Sequence, residues 1–216
     1  MRLALIIVTT LAVLAFALFY LTTDREVGDA VIDLPWQVKV VDPQHSGVLG
    51  IVLNQTNLEQ ARAHFGQLDG IALFKDSTGR YSLEAYFGKV RSGPLTARLI
   101  ATLEVPQPEL ESLVEHTVKR IKTEDGSLKW TLSQAKQAEQ GLRKIRSLAY
   151  IPSYRGMDQP FIEQRFGQPA RREAVDDSAE LWFYPEIGTR VLVDQEGNEL
   201  FEYLSLADFN AIYGTQ

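Results

Sequence analysis

From Leu3 to Leu21 every position is apolar or aromatic except Thr9 and Thr10. Wound as a helix at about 1.5 Å per residue, the run is roughly 28 Å long, close to the hydrocarbon thickness of a bilayer. Tyr20 falls at its far end, where an amphipathic ring suits the headgroup boundary. The pattern predicts a signal anchor over residues 1–22. Ala15-Phe16-Ala17 offers a small-x-small cleavage site to the rival reading, a signal peptide, whose apolar core is usually shorter, about 7–15 residues. Arg2 and the amino terminus precede the span, while Asp24, Glu26 and Asp29 follow it. That bias keeps the N-terminus in the cytoplasm and puts the rest in the periplasm, as a single-pass protein of a bacterial inner membrane. Residues 23–34 read as a polar tether.

Beyond the tether the pattern changes to short alternating or continuous apolar runs. Trp36 to Val41 and Gly47 to Leu53 read as strands about a turn at Asp42-Pro43. Thr56 and Glu59 have capping-box spacing, and Leu58, Ala61 and Phe65 form one helical face that Gly66 ends in a left-handed cap. Strands follow at 70–74, 81–90 and 96–105, the first two joined by the polar turn 75–80. Leu110, Leu113, Val114, Val118 and Ile121 recur at helical spacing behind Pro108. Glu109, Glu111 and Glu115 lie early in this segment and Lys119, Arg120 and Lys122 late, as the helix dipole favours. A second helix is expected from Ser133 to Arg146, burying Ala135, Ala138, Leu142 and Ile145.

The last third echoes the first. The stretch from Asp158 to Phe166-Gly167-Gln168 parallels that from Asn57 to Phe65-Gly66-Gln67, and an aromatic strand follows each. Residues 191–193 and 200–204 flank a further hairpin turn at 194–198. The expected fold is therefore α+β: an N-terminal transmembrane helix, then two helix-plus-antiparallel-sheet units joined by a helical hairpin. The first unit takes residues 35–105, the helical connection 106–148 and the second unit 149–216.

Tyr150-Ile151-Pro152, Gly156-Met157-Asp158, Phe166-Gly167-Gln168-Pro169 and Trp182-Phe183-Tyr184 together resemble the BamE/SmpA-type envelope domain, most strongly over residues 150–206. The tandem arrangement is similar to the β-lactamase-inhibitor-protein architecture. The sequence departs from the lipoproteins of that family in having no lipobox cysteine; the apolar anchor stands in for the lipid. The first unit lacks the Gly-Met signature and the proline after Phe65-Gly66. The resemblance implies non-catalytic work: scaffolding, assembly or inhibitor-like binding.

Composition narrows the chemistry. Lys+Arg 22 against Asp+Glu 28 leaves a net charge of −6, without the basic footprint of a nucleic-acid binder. Cysteine is absent, which removes disulfides, thiolate metal sites and a Cys nucleophile. His45, His64 and His116 have no sequence-local partner, and no nucleophile-elbow, HExxH or P-loop pattern occurs. Asp194 to Glu199 lacks the ligand spacing of a calcium loop, and Asp176-Asp177 reads as solvated. No catalytic residue, cofactor or metal is assigned.

Two surfaces remain as binding candidates. Trp182 and Tyr184, with Tyr86 of the first unit, either fill a small core or form a face that grips an envelope protein. Arg143, Lys144, Arg146, Arg171 and Arg172 either cap helix ends and loops or contact anionic lipid headgroups, at about 1 kcal/mol per basic residue. The expected function is an inner-membrane-anchored periplasmic accessory or adaptor protein. A lipid or small-molecule binding module is the alternative, and an enzyme without a recognisable motif the third.

Overall fold

The computed structural model describes residues 31–123, 127–197 and 199–214. The anchor and most of the tether lie outside the described residues. Among those described, no helix is long and apolar enough to cross a membrane.

The chain is dominated by one large sheet. In chain order the strands are β1 (Val31–Ile32), β2 (Lys39–Val40), β3 (Ser46–Val48), β4 (Ile51–Val52), β5 (Gly70–Lys75), β6 (Tyr81–Ser92) and β7 (Leu95–Leu103). They continue with β8 (Thr117–Lys122), β9 (Leu128–Leu132), β10 (Ile145–Pro152), β11 (Arg171–Ala174), β12 (Ala179–Tyr184), β13 (Thr189–Asp194) and β14 (Leu200–Leu204). The helices are short: α1 (Leu58–Phe65), α2 (Gln107–Leu113), α3 (Gln134–Ala138), α4 (Gln159–Phe166) and α5 (Leu206–Tyr213). Ten strands run in the order β11-β12-β13-β14-β10-β7-β6-β5-β9-β8, all antiparallel, and β1 adds in parallel to the end of β6. Strands β2, β3 and β4 form a separate small sheet.

This overturns the expected fold class. The large sheet runs unbroken from the first part of the chain into the second, because β10 pairs with β7 on one side and β14 on the other. Among the described residues there is no helical hairpin between two units. Residues expected to continue the helix behind Pro108 leave it after Leu113 for one 3-10 turn (Val114–His116) and then form β8. Thr117, Val118 and Ile121 are β-branched and suit extended backbone, and β9 offers an unpaired edge on which they add as a ladder. Val118 is consequently exposed rather than buried.

The helix expected over 133–146 is confined to α3, and Leu142 is 77% exposed. Tertiary pairing decides this. The Leu58 and Glu59 amides, unpaired at the start of α1, donate to the Arg143 and Gly141 carbonyls at 2.9 and 2.8 Å, and the Glu104 amide takes the Lys144 carbonyl at 2.8 Å. The turn at 139–142 and the bridge between Lys144 and Asn57 thus satisfy donors that a helix there would leave orphaned.

The short helices α1 and α4 form for local reasons. The α1 cap is Asn57, in a capping box with Gln60 rather than the expected Thr56–Glu59 pair, while the Thr56 hydroxyl accepts from the Val52 amide. Asp158 caps α4 and Pro160 sits in its first turn. Gly66 and Gly167 end these helices at φ +94° and +82° with extended ψ, a region only glycine enters readily.

One face of the large sheet, the inner face, carries the main core. Leu73, Leu83, Leu99, Leu148, Val191 and Phe201 project from it onto Ala61 and Phe65 of α1, Leu110 of α2, Ile162 of α4 and Leu49 and Ile51 beside the small sheet. A bulge at Phe87–Gly88 resets the alternation of β6, so that Leu83, Ala85, Phe87 and Val90 all reach this core.

Candidate functional site

The opposite, outer face of the sheet is also apolar, and it divides in two. Over β12, β13 and β14 it is roofed by α5: Phe209 and Tyr213 close over Leu181, Phe183, Leu192, Leu200 and Leu204. Arg190 lies under that roof, 2% exposed, paired across the strands with Glu202 at 2.5 Å and 4.7 Å from the Tyr213 ring. Over β5, β6, β7 and β10 the second half holds Ala72, Phe74, Tyr86 and Ile100, with Ala149 and Ile151 packed alongside.

Charge is embedded in this second half. The Tyr86 hydroxyl donates to the Glu84 carboxylate at 2.5 Å, and Lys129 holds its ammonium 5.2 Å from the Tyr86 ring centre and 5.7 Å from that of Phe74. Burial raises the Glu84 carboxyl above the ordinary range, opposed by hydrogen bonds from Tyr86 and Ser82. Burial likewise pushes the Lys129 ammonium down to about 8, against the pull of Glu84. An apolar patch that holds two aromatic rings, a half-buried acid and a buried amine is not the make-up of a fully solvated sheet face.

Of the three aromatics expected to grip a partner, the structure puts only Tyr86 on this outer face. Trp182 and Tyr184 point the other way, into the main core, at 0% and 5% exposure. The Trp182 indole donates to Glu180 at 2.8 Å, and the Tyr184 ring packs on Phe166 with its hydroxyl donating to the Gly167 carbonyl at 3.2 Å. They fix α4 to the sheet from the inner face. Phe74, Ile100, Glu84 and Lys129 escaped the sequence reading. A usable signal was present: Ile71 to Phe74 is apolar at consecutive positions, the mark of a strand covered on both faces.

The five basic residues are not one cluster. Arg171 and Arg172 lie on β11 and point to opposite faces, Arg171 over the Phe183 ring at 4.1 Å and Arg172 over Trp182 at 4.0 Å. Arg172 also pairs with Glu163 at 2.5 Å and Arg171 with Glu173 at 3.2 Å. Arg143, Lys144 and Arg146 do line one open groove of about 510 Å³, together with Leu142, Pro106, Asn54 and Asp208. There Arg143 pairs with Glu109 and Arg146 with Asp208, whereas Lys144 is exposed and makes no ion pair among the described residues. The Asp208 carboxyl is raised by burial but held below its ordinary value on balance by hydrogen bonds from Asn54, Arg146 and Ser205.

The histidines do not converge. His45 contacts Asp42 at 2.9 Å in its own turn, His64 packs edge-on against Phe65 on α1, and His116 sits in the 3-10 turn after α2. Among the described residues no group of three or more His, Asp or Glu could hold a metal ion. No family model matches the chain, and neither a curated protein nor a solved structure matches it.

Proposed function

We propose that the protein is a non-catalytic accessory or adaptor of the bacterial cell envelope, anchored in the inner membrane by residues 3–21, that binds another envelope protein through the outer face of β5, β6, β7 and β10. One observation carries the reading: Ala72, Phe74, Tyr86 and Ile100 form one apolar cluster on this face, with Ala149 and Ile151 packed against it. Tyr, as at position 86, is among the residue types enriched in protein-binding hot spots. The resemblance of residues 150–206 to the BamE/SmpA-type domain supports the same class of work.

The test is crosslinking in cells with tagged full-length protein, followed by mass spectrometry of the captured partner. Tyr86→Asp is expected to abolish capture of a specific envelope protein while the purified variant keeps its far-UV spectrum. Undiminished capture by a folded Tyr86→Asp variant defeats the assignment of this face.

The groove beside Lys144 favours a second reading, anionic-lipid contact, because an exposed Leu142 stands next to a cation with no described counter-ion. Binding to phosphatidylglycerol vesicles that weakens with salt and with Lys144→Glu supports it, and no binding at low salt removes it.

A further inference from the structure

Among the described strands the large sheet ends in two free edges, β8 and β11. The β8 edge is regular enough to pair again. A bulge interrupts its start, between Thr117 and Lys119, after which Lys119 to Lys122 run in register with Thr131 to Leu128 of β9. The Thr123 amide donates to the Ser127 carbonyl at 2.9 Å, which fixes the phase of the ladder. By antiparallel alternation Lys119 and Ile121 also turn their amides and carbonyls to β9, while Arg120 and Lys122 turn theirs to the open side. Backbone groups on that side are left to water or to another strand.

The side chains at this edge are cationic. Lys119, Arg120 and Lys122 are exposed and make no ion pair with a described residue. Arg120 stands opposite Trp130 and Lys122 opposite Leu128, so the two residues with open backbone groups also share one side of the strand. Val118, 69% exposed, adds an apolar point at the bulge. The β11 edge differs, because Arg171 and Arg172 are already paired with Glu173 and Glu163 and lie over the Phe183 and Trp182 rings. Lysine on an edge strand is a guard against edge-to-edge association. Here the guard works against copies of this chain, since both free edges carry basic residues. A strand of opposite charge meets attraction instead.

We propose that the open edge of β8 is a docking site for an extended acidic segment of another protein, which pairs with β8 as a further strand of the sheet. Asp or Glu residues at alternate positions of that segment lie opposite Arg120 and Lys122, and its backbone takes up the amides and carbonyls of the same two residues. Main-chain hydrogen bonds supply the affinity, and the alternating charges select the partner. The site is an edge, apart from the outer face of β5, β6, β7 and β10, and it stands whether or not that face binds a protein.

The test titrates full-length protein in mild detergent into a short fluorescent peptide with Glu at every second position among Thr and Val, read by anisotropy at low salt. Binding is expected at submillimolar protein or below, and at least tenfold weaker for the double variant Arg120→Glu with Lys122→Glu. Both residues are exposed and unpaired with any described residue, so the variant keeps its fold, checked by its far-UV spectrum. The double variant is expected to bind instead the same peptide with Lys in place of Glu. In an added strand only alternate amides face β8. N-methylation of one alternate set of peptide amides is therefore expected to weaken binding at least tenfold, and N-methylation of the other set to leave it within twofold. Equal effects of the two methylations would mean charge attraction without strand pairing, and overturn the proposal. So does binding that the double variant leaves unchanged, or no binding at submillimolar protein. A parent oligomer that the double variant converts to monomer would give the edge to a second copy of this chain, and overturns it as well.

Discussion

Replacing Trp182 by alanine separates a core role for the aromatic strand from a partner-gripping one. The indole is completely buried on the inner face, its N–H bonded to Glu180 at 2.8 Å, with the Arg172 guanidinium stacked 4.0 Å away. Arg172 in turn pairs with Glu163 on α4, so the ring is one plate of a clamp between α4 and the sheet. Truncation of a buried Trp costs about 3–5 kcal/mol through lost transfer energy and the cavity left behind. The half-exposed cation–π contact adds about 0.5–1 kcal/mol. Glu180 regains water and contributes little. A loss near 4 kcal/mol follows, which for a domain of this size lowers the thermal midpoint by about 10 °C. Thermal unfolding followed by near-UV circular dichroism, with urea denaturation as a second axis, measures it. The expected result is a large drop in midpoint with an unchanged denaturant slope. A midpoint within about 1 °C of the parent, coupled to loss of partner capture, would refute the burial of Trp182 and return the aromatic strand to the surface.

Two further perturbations probe the outer face. Glu202→Gln leaves Arg190 buried beneath α5 without its countercharge, and the breaking of a buried pair costs roughly 3–5 kcal/mol; a chemical-denaturation difference below about 1 kcal/mol would show that Arg190 finds water. Lys129 has its folded value depressed from 10.5 to about 8, so between those values the unfolded chain binds more protons and stability rises with pH. Lys129→Met should flatten that rise in midpoint between about pH 8 and 10.5; parallel pH profiles for parent and variant would mean the ammonium is solvated.

The sequence expressed its local rules well. Asx residues at 57 and 158, apolar faces of one or two turns and glycines at 66 and 167 bracket two eight-residue helices almost to the residue. The meander from Gly70 to Leu103 is likewise legible, since alternation and a polar turn act within a few residues. Over 114–122 and 139–146 the same reasoning failed. There helical spacing and sheet propensity were both satisfiable, and the winner was set by partners distant in sequence: the free edge of β9 and the unsatisfied amides of α1. The bulge at Phe87–Gly88 was equally hidden, because one extra residue in a strand changes which side chains share a face without changing the composition.

The candidate site shows the same division. Tyr86, Trp182 and Tyr184 are alike in sequence, each an aromatic in an alternating strand. Alternation fixes that neighbours oppose one another but not which face lies toward which layer. The sequence by itself determined the apolar segment, the helices α1 and α4, the hairpins and the absence of thiol chemistry, because each depends on a residue and its near neighbours. Only the tertiary structure decided that one sheet runs through the whole domain, that Trp182 and Tyr184 face inward, and that Tyr86 joins Phe74, Ile100 and Lys129 on the outer face. Those outcomes are free-energy differences between competing long-range pairings, and such differences are not written in any short stretch of chain.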